Sequence, residues 1–261
     1  MRINPLLLPR CSSNQLAQIK ALVLTSSQPH ALNTLLASLV NSRTPQHAFA
    51  LYNQMLHNPF THNHFTFNNA IKACCFTNSF NKDQEIHARV TKSGHFSHTY
   101  IQNSFIHFYV LKNDIVYAYR VFQTIVSPDV ISWTSIISGF SKCGFEDKAI
   151  RIFSVMSVNP NANTLVSVLS ACCCTVGGLK LGKSVHCYWL KRFDQRNVIL
   201  DNALLHLYVT VGCLEYASQV FDKMPERNVV SWTAMVGGLV RRGFCEDAIS
   251  VFNEMVEEGE L

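Results

Sequence analysis

The chain has 261 residues, of which 48% are apolar and 15% charged, with 22 Lys and Arg against 17 Asp and Glu. This apolar fraction is too high, and the charge too low, for an intrinsically disordered chain, so a packed core is expected. The longest uncharged apolar stretch is interrupted by Asn-Pro-Asn at 159–161 and by Gly-Gly at 177–178, which argues against a membrane span.

The N-terminal third is the basic end of the chain. No acid occurs before Asp83, whereas six Lys or Arg residues do, so all 17 acids lie in the later part. A segment without carboxylates is typical of a polyanion-binding surface, of an organelle-targeting sequence, or of both.

The ten cysteines do not have the spacing of a zinc site. They occur as adjacent groups at 74–75 and 172–174 or in isolation, and no Cys-x-x-Cys motif is present. No His is followed two positions later by Glu, as the zinc deaminase signature requires. The sequence therefore predicts no metal and no cofactor, and it predicts buried, reduced cysteines that act as small hydrophobic residues.

The chain repeats itself with a period of about 100 residues. At an offset of 98, Ala-Cys-Cys at 73–75 aligns with 171–173. At an offset of 99, Val-Ile-Ser-Trp-Thr at 130–134 aligns with Val-Val-Ser-Trp-Thr at 229–233. Such extended matches indicate an internal duplication.

A shorter pattern returns every 31 to 36 residues and predicts two helices per repeat. Ala149, Ile150, Phe153 and Met156 follow the spacing of one helical face, and a glycine such as Gly144 separates the paired helices. Each helix pair leaves apolar surface at both ends, so neighbouring repeats must stack to bury it. The expected fold is all-α, a right-handed α-solenoid of stacked helix-turn-helix repeats.

Three segments carry a family resemblance: Phe-Asp-Lys-Met-Pro-Glu-Arg-Asn at 221–228, Val-Val-Ser-Trp-Thr-Ala-Met at 229–235 and Leu-Ser-Ala-Cys at 169–172. They resemble the pentatricopeptide repeat proteins of plants, and the alternating repeat lengths resemble the P-L-S subfamily. The resemblance implies a short basic leader at 1–13 that could serve in targeting, a degenerate half repeat at 14–28, and seven repeats in the order P, L, S, P, L, S, P. We number these seven as repeats 1 to 7, and their bounds are 29–63, 64–98, 99–129, 130–161, 162–197, 198–228 and 229–261.

In this family each repeat reads one base of single-stranded RNA with its fifth and its last residue, which we call the readers. The resemblance assigns as reader pairs Asn33 with Asn63, Asn68 with His98, Asn103 with Asp129, Thr134 with Asn161, Val166 with Asn197, Asn202 with Asn228, and Thr233 without a partner. Val166 cannot form a hydrogen bond, so repeat 5 is expected to read nothing. With the N-terminus toward the RNA 5′ end, the pairs imply the target 5′-Y-N-U-A-N-Y-R-3′.

The second residue of each repeat should stack on bases, and a basic thirteenth residue should contact phosphate. The predicted stacking residues are Phe65, Tyr100, Ile131, Ile199 and Val230, and the predicted phosphate contacts are Lys142 and Arg241. Taken singly, Asn103 or Asn202 would also suit a helix N-cap, and Phe65 or Tyr100 a core position.

Two pairs of residues related by the 99-residue offset are interpreted as structural and not as RNA-binding residues. Trp133 and Trp232 each precede a reader and are expected to pack between helices. His107 and His206 have no carboxylate or cysteine at ligand spacing, so they are expected to be solvated or locally hydrogen-bonded.

The resemblance implies an RNA-binding protein that acts in organellar RNA processing, in the mitochondrion or alternatively the chloroplast. It implies selection of sites for C-to-U editing, with a deaminase supplied in trans and accessory editing factors bound at the L repeats. The alternative is a protein-binding α-solenoid, against which the irregular repeat lengths argue. An enzyme is not expected, because no nucleophile–base, metal or phosphate-loop constellation is found and the deaminase domain of longer relatives is lacking.

Overall fold

In the computed structural model, residues 29–41, 46–56, 62–77, 83–192 and 197–259 are described, and they form fourteen helices with no strand among them. No helix in these ranges is long and apolar enough to cross a membrane. The predicted all-α fold is confirmed for these ranges. The predicted leader at 1–13 and half repeat at 14–28 lie outside the described residues.

The chain divides into two compact units, residues 1–128 and residues 129–261. The N-terminal unit contains α1 Pro29–Val40, α2 Gln46–Met55, α3 His64–Thr77, α4 Asp83–Lys92, α5 Thr99–Leu111 and α6 Ile115–Gln123. The C-terminal unit contains α7 Val130–Lys142, α8 Glu146–Ser154, α9 Ala162–Cys172, α10 Gly178–Arg192, α11 Val198–Val211, α12 Leu214–Asp222, α13 Val229–Arg241 and α14 Cys245–Glu257. Two helices fall within each of the seven proposed repeats.

Within each unit the first helices of successive repeats pack side by side. Helix α3 contacts both α1 and α5, and in the C-terminal unit α9 contacts α7 and α11, while α11 also contacts α13. Each first helix also packs against the second helix of its own repeat. Because Leu36, Ile71 and Leu204 are at most 1% exposed, these contacts form the core of each unit.

Trp133 and Trp232, the tryptophans that precede readers, are buried, in agreement with the predicted packing between helices. Trp232 is fully buried, and its ring lies edge-on to Phe221 with 4.9 Å between the ring centroids. Trp133 is 8% exposed. Both therefore serve packing rather than contact with a ligand.

In several repeats, a residue with a left-handed backbone conformation follows the first helix. Gly144 and Gly243, which the sequence marked as breaks, have φ of 77° and 81° between the two helices of their repeats. Gly212 has a φ of 84° at the end of α11, whereas its counterpart in the N-terminal unit is Asn113, with a φ of 60°. Asn is among the few other residues that tolerate this conformation, so the duplicated turn keeps its geometry.

The prediction of buried cysteines holds only in part. Cys74, Cys75 and Cys172 are buried, but Cys174, Cys187 and Cys245 are exposed, so for these three the prediction is wrong. The physical reason is position: the exposed three lie after the end of α9, on α10 and at the start of α14, away from the stacked first helices. All nine described cysteines are free thiols.

Candidate nucleic-acid interface

The last residue of a repeat begins the first helix of the next one. Asn161 Oδ1 accepts the Thr164 backbone N–H at 2.9 Å, and Asn228 Oδ1 accepts the Ser231 backbone N–H at 3.1 Å. Asp129 does the same for Ser132 at 2.7 Å. Because a backbone N–H can only donate, the capping atom of each Asn must be its oxygen. The amide nitrogen is then the group left to meet a ligand.

Fifth residues lie beside these capping residues. Asn202 Nδ2 donates to Asn228 Oδ1 at 3.3 Å, across 26 residues of sequence, and Asn33 Nδ2 donates to Asn63 Oδ1 at 3.2 Å. The structure thus brings together the predicted reader pairs of repeats 6 and 1. Asn63 also accepts the Thr66 backbone N–H at 3.1 Å, so it caps α3 in the same way.

In repeat 4 the two readers are linked through a third residue. Thr134 Oγ1 lies 2.6 Å from Thr164 Oγ1, and Thr164 Oγ1 lies 2.9 Å from Asn161 Oδ1. Thr134 Oγ1 also lies 2.6 Å from the Val130 carbonyl oxygen. The single hydroxyl hydrogen of Thr134 is engaged within the protein in either arrangement, so toward a ligand its oxygen can act only as an acceptor.

The L repeats are built differently. Asn68 is only 2% exposed, and it donates to Tyr100 Oη at 3.0 Å and accepts from the Ser104 hydroxyl. Its amide is therefore directed at α5 and not at exposed His98, which begins α5 without a side-chain capping bond. In repeat 5, Asn197 caps α11 by accepting the Ile199 N–H at 3.0 Å, and the fifth residue of this repeat is the apolar Val166.

Two further predicted readers, Asn103 and Thr233, lie on the first helices of repeats 3 and 7. Asn103 is half-buried on α5, in the N-terminal unit, whereas Asp129 belongs to the C-terminal unit. Thr233 is exposed, and its hydroxyl donates to the Val229 carbonyl at 2.7 Å.

The predicted stacking residues are all accessible. Their exposed fractions lie between 49% and 64%, and the residues are Phe65, Tyr100, Ile131, Ile199 and Val230. Each precedes a reader by three positions on a helix, which places both on one helical face. The core alternative for Phe65 and Tyr100 is thereby excluded.

The predicted phosphate contacts are exposed cations at the ends of first helices. Lys142 and Arg241 follow Ile131 and Val230 by eleven residues, three turns of helix, and so lie on the same face as those apolar side chains. Arg241 Nε donates to the Gly237 carbonyl at 3.2 Å, which leaves its terminal amino groups for other partners.

The sequence reasoning missed a set of hydroxyl residues that meet the readers. They are the third residues of repeats 2, 4, 5 and 7, each at most 1% exposed: Thr66, Ser132, Thr164 and Ser231. The signal was present, because Ser132 and Ser231 align at the 99-residue offset.

A duplicated His–Tyr contact was also missed. His87 Nδ1 lies 2.9 Å from Tyr109 Oη, and the same distance separates His186 Nδ1 from Tyr208 Oη, at the 99-residue offset. His107 and His206 are exposed, as predicted for solvated residues. His206 Nδ1 also lies 3.5 Å from Cys173 Sγ, which is 33 residues away in sequence.

Stacked helix pairs, with a polar fifth residue beside the N-cap of the next repeat, define a helical-repeat protein of the α-solenoid class. Models of the PPR repeat match residues 125–157, 202–229 and 230–260.

Curated relatives come from Arabidopsis thaliana. The pentatricopeptide repeat-containing protein At4g21065 is 37% identical over 85% of this chain and 38% of its own length. The putative pentatricopeptide repeat-containing protein At1g10330 is 31% identical over 94% of this chain and 62% of its own. The chloroplastic protein CRR2 is 33% identical over 87% of this chain and 36% of its own. The chain thus spans less than two thirds of the length of these relatives.

The pentatricopeptide repeat protein PPR10, in complex with an 18-nt psaJ RNA element, has the same fold. Its TM-score is 0.77 at 18% identity, over 96% of this chain and 39% of that one. The crystal structure of PPR10 from maize gives a TM-score of 0.60 at 17% identity. The solenoid fold is confirmed. The chain carries matched PPR repeats and is similar over most of its length to pentatricopeptide repeat-containing proteins of Arabidopsis thaliana.

Proposed function

We propose that this chain binds single-stranded RNA sequence-selectively, reading one base with each repeat that has a polar reader pair. The observation that carries the proposal is the capping of five first helices, α3, α7, α9, α11 and α13, by the preceding last reader. Capping holds the amide oxygen inward, so Asn161 and Asn228 each offer an N–H donor in a fixed place. A fixed donor distinguishes base edges, because the edges differ in their order of donors and acceptors.

The two readers of repeat 4 have hydrogen-bonding groups that complement the Watson–Crick edge of adenine. The hydroxyl oxygen of Thr134 can accept from the adenine amino group, and Asn161 Nδ2 can donate to the ring nitrogen beside it. Uracil has an acceptor and a ring N–H at the corresponding places, so it meets both groups with the wrong polarity. The donor and acceptor order therefore supports adenine as the fourth base.

Side chains around the readers supply affinity without selecting a base. Exposed Ile131 and Val230 offer apolar faces on which any base can stack. Lys142 and Arg241, three helical turns farther along, are suited to phosphate oxygens. The stacking and phosphate contacts make RNA binding favourable, and the base-edge contacts of the readers make it selective.

The biological role we propose is organellar RNA processing, specifically the choice of cytidines for C-to-U editing. The deaminase would act in trans, and accessory editing factors would bind at the L repeats. Support comes from relatives named chloroplastic, or chloroplastic and mitochondrial, and from the psaJ RNA bound by PPR10. The mitochondrion is the proposed compartment, with the chloroplast as the alternative.

Exchange of the repeat 4 readers tests the proposed reading. The double variant Thr134→Asn and Asn161→Asp keeps the stacking residue Ile131 and turns the outer groups into a donor and an acceptor. We expect the preference at the fourth base to move from adenine to uracil by about 1–3 kcal/mol, the range for a good base-edge contact. Affinities for four RNAs that differ only at the fourth base measure this shift.

Lys142→Ala is the matched control, because it removes a cation from the same helix and no edge-reading group. It should weaken all four RNAs alike and reduce the salt dependence of binding by about 0.7 in the logarithmic slope. If the double variant instead weakens all four RNAs equally, the residues are not readers. If no single-stranded RNA binds at all, the protein-binding scaffold becomes the better function.

A further inference from the structure

The buried hydroxyl at the third position of a repeat is the feature that the proposed reading leaves unexplained. Ser231 Oγ lies 2.7 Å from Asn202 Oδ1 and 3.1 Å from Asn228 Oδ1, so it touches both readers of repeat 6. It also accepts the Asn228 backbone N–H at 3.3 Å. We call the three side chains of Ser231, Asn202 and Asn228 the clasp.

The same arrangement occurs in the other compact unit. Thr66 Oγ1 lies 2.7 Å from Asn33 Oδ1 and 3.2 Å from Asn63 Oδ1, and the Asn63 backbone N–H is 3.4 Å from the hydroxyl. Thr164 occupies the equivalent place between Thr134 and Asn161. One geometry recurs at three repeat boundaries with either Ser or Thr, so the hydroxyl itself is the shared chemical group.

The donors and acceptors of the clasp fit together in one arrangement, which fixes the orientation of both amides. The Ser231 backbone N–H fixes the oxygen of Asn228 inward, and that oxygen can be approached only by a donor, so Asn202 turns its nitrogen toward Asn228. The oxygen of Asn202 then faces Ser231, and its 2.7 Å contact with the hydroxyl is the shorter of the two contacts that this hydroxyl makes with reader oxygens. The orientation of both amides is therefore set by the helix N-terminus through Ser231.

We propose that the third residue of a repeat is a specificity-positioning residue for the preceding repeat, acting through the orientation of its fifth reader. Without the hydroxyl, the Asn202 oxygen loses the donor that faces it. What remains to hold the amide is the longer 3.3 Å contact of its nitrogen with Asn228 Oδ1, so it rotates more easily and can present either a nitrogen or an oxygen to the base. A reader that presents both groups discriminates poorly between bases, although it still binds.

Boundaries without the hydroxyl fit this proposal. Ile101 and Leu200 stand at the third positions of repeats 3 and 6, directly after the two L repeats. At the first of these boundaries the Asn68 amide is taken up by Tyr100 and Ser104, and at the second the fifth residue is Val166. The hydroxyl is absent at the two boundaries where the fifth residue of the preceding repeat is either bound by other side chains, as Asn68 is, or apolar, as Val166 is.

Ser231→Ala, with Ser231→Thr as the matched control, tests this proposal, which rests on the proposed function. The probe is a set of four RNAs that differ only at the sixth base. We expect Ser231→Ala to reduce the affinity ratio between the preferred base and the others by about fivefold, the size of one lost neutral hydrogen bond. Ser231→Thr should keep the ratio, because Thr66 and Thr164 serve in this place elsewhere in the chain.

A merely structural role predicts a different pattern. Loss of the capping hydroxyl alone would lower the melting temperature and weaken all four RNAs equally, with the ratio unchanged, and that result overturns the proposal. Selectivity at the fourth base is the internal reference and should not change in Ser231→Ala.

Asn228→Asp, measured on the same four RNAs, distinguishes failure of the positioning role of Ser231 from failure of the reader assignment. If Asn228→Asp changes the preferred base while Ser231→Ala leaves the ratio intact, the clasp fails and RNA reading stands. If Asn228→Asp has no effect on base preference, the assignment of readers itself fails.

Discussion

Capping and recognition meet in a single side chain at the end of a repeat. Asn161 and Asn228 each use their oxygen to complete the first turn of a helix, which removes a choice that a free amide would have. An Asp in the same place, such as Asp129, also caps the helix through one oxygen, and its other outer atom is an acceptor oxygen where Asn has a donor nitrogen. An Asn-for-Asp difference therefore inverts the polarity presented to a base while leaving the cap in place.

Burial separates the cysteines into two chemical classes. Burial raises the pKa of the Cys172 thiol to about 12 and that of Cys75 to about 11, so neither forms the reactive thiolate at neutral pH. Cys174, Cys187 and Cys245 are exposed to solvent. We expect these three to be alkylated rapidly in the native protein, and Cys75 and Cys172 only after unfolding.

Mass spectrometry of peptides after timed alkylation measures this difference, since it assigns each label to a residue. Labelling in denaturant is the control, because all thiols are then equally accessible. Rapid native labelling of Cys172 would contradict the packing described for α9.

At the scale of elements, close helix contacts depend on single glycines. A Cβ added at Gly238 on α13 would lie 2.7 Å from Val209 Cγ1 on α11, closer than two carbon atoms can pack. The neighbouring Gly237, on the same helix, has no atom within 4 Å of such a Cβ. The two adjacent glycines therefore separate the effect of packing from the effect of helix propensity.

We expect Gly238→Ala to lower the free energy of unfolding by about 1–3 kcal/mol, because α11 and α13 must move apart. Gly237→Ala should raise the free energy of unfolding by up to about 1 kcal/mol, since Ala favours the helix and meets nothing. Urea denaturation followed by circular dichroism compares the two. Equal effects of the two substitutions would mean that α11 and α13 are not in close contact.

At the scale of elements, the features that the sequence predicted depend on residues close to one another in the chain. Helix pairs and the glycine breaks at 144 and 243 follow from helical periodicity and from the rarity of positive φ in other residues. The direction of the Asn68 amide could not be predicted, because it depends on Tyr100 and Ser104, which the next repeat brings within hydrogen-bond distance. The clasp is non-local for the same reason, since Ser231 meets Asn202 from 29 residues away.

For the whole molecule, the proposed repeats fix a register along the RNA. One base per repeat predicts that affinity rises with RNA length up to about seven nucleotides and then changes little. The repeats are not equal, because repeat 5 has Asn163 in place of an apolar stacking residue and Val166 in place of a polar reader. Its base should therefore contribute least to binding.

An abasic scan of a seven-nucleotide RNA tests this register. Removing a base while keeping the phosphate should cost about 1–3 kcal/mol where a repeat both stacks and reads, as expected for repeats 4 and 6, and clearly less at the fifth base. The position of this minimum also reports polarity. With the N-terminus at the RNA 5′ end the weakest effect falls on the fifth base, whereas the opposite orientation would move it to the third. A uniform cost at all seven positions would contradict a repeat-by-repeat reading, because a binding surface without register treats every base alike.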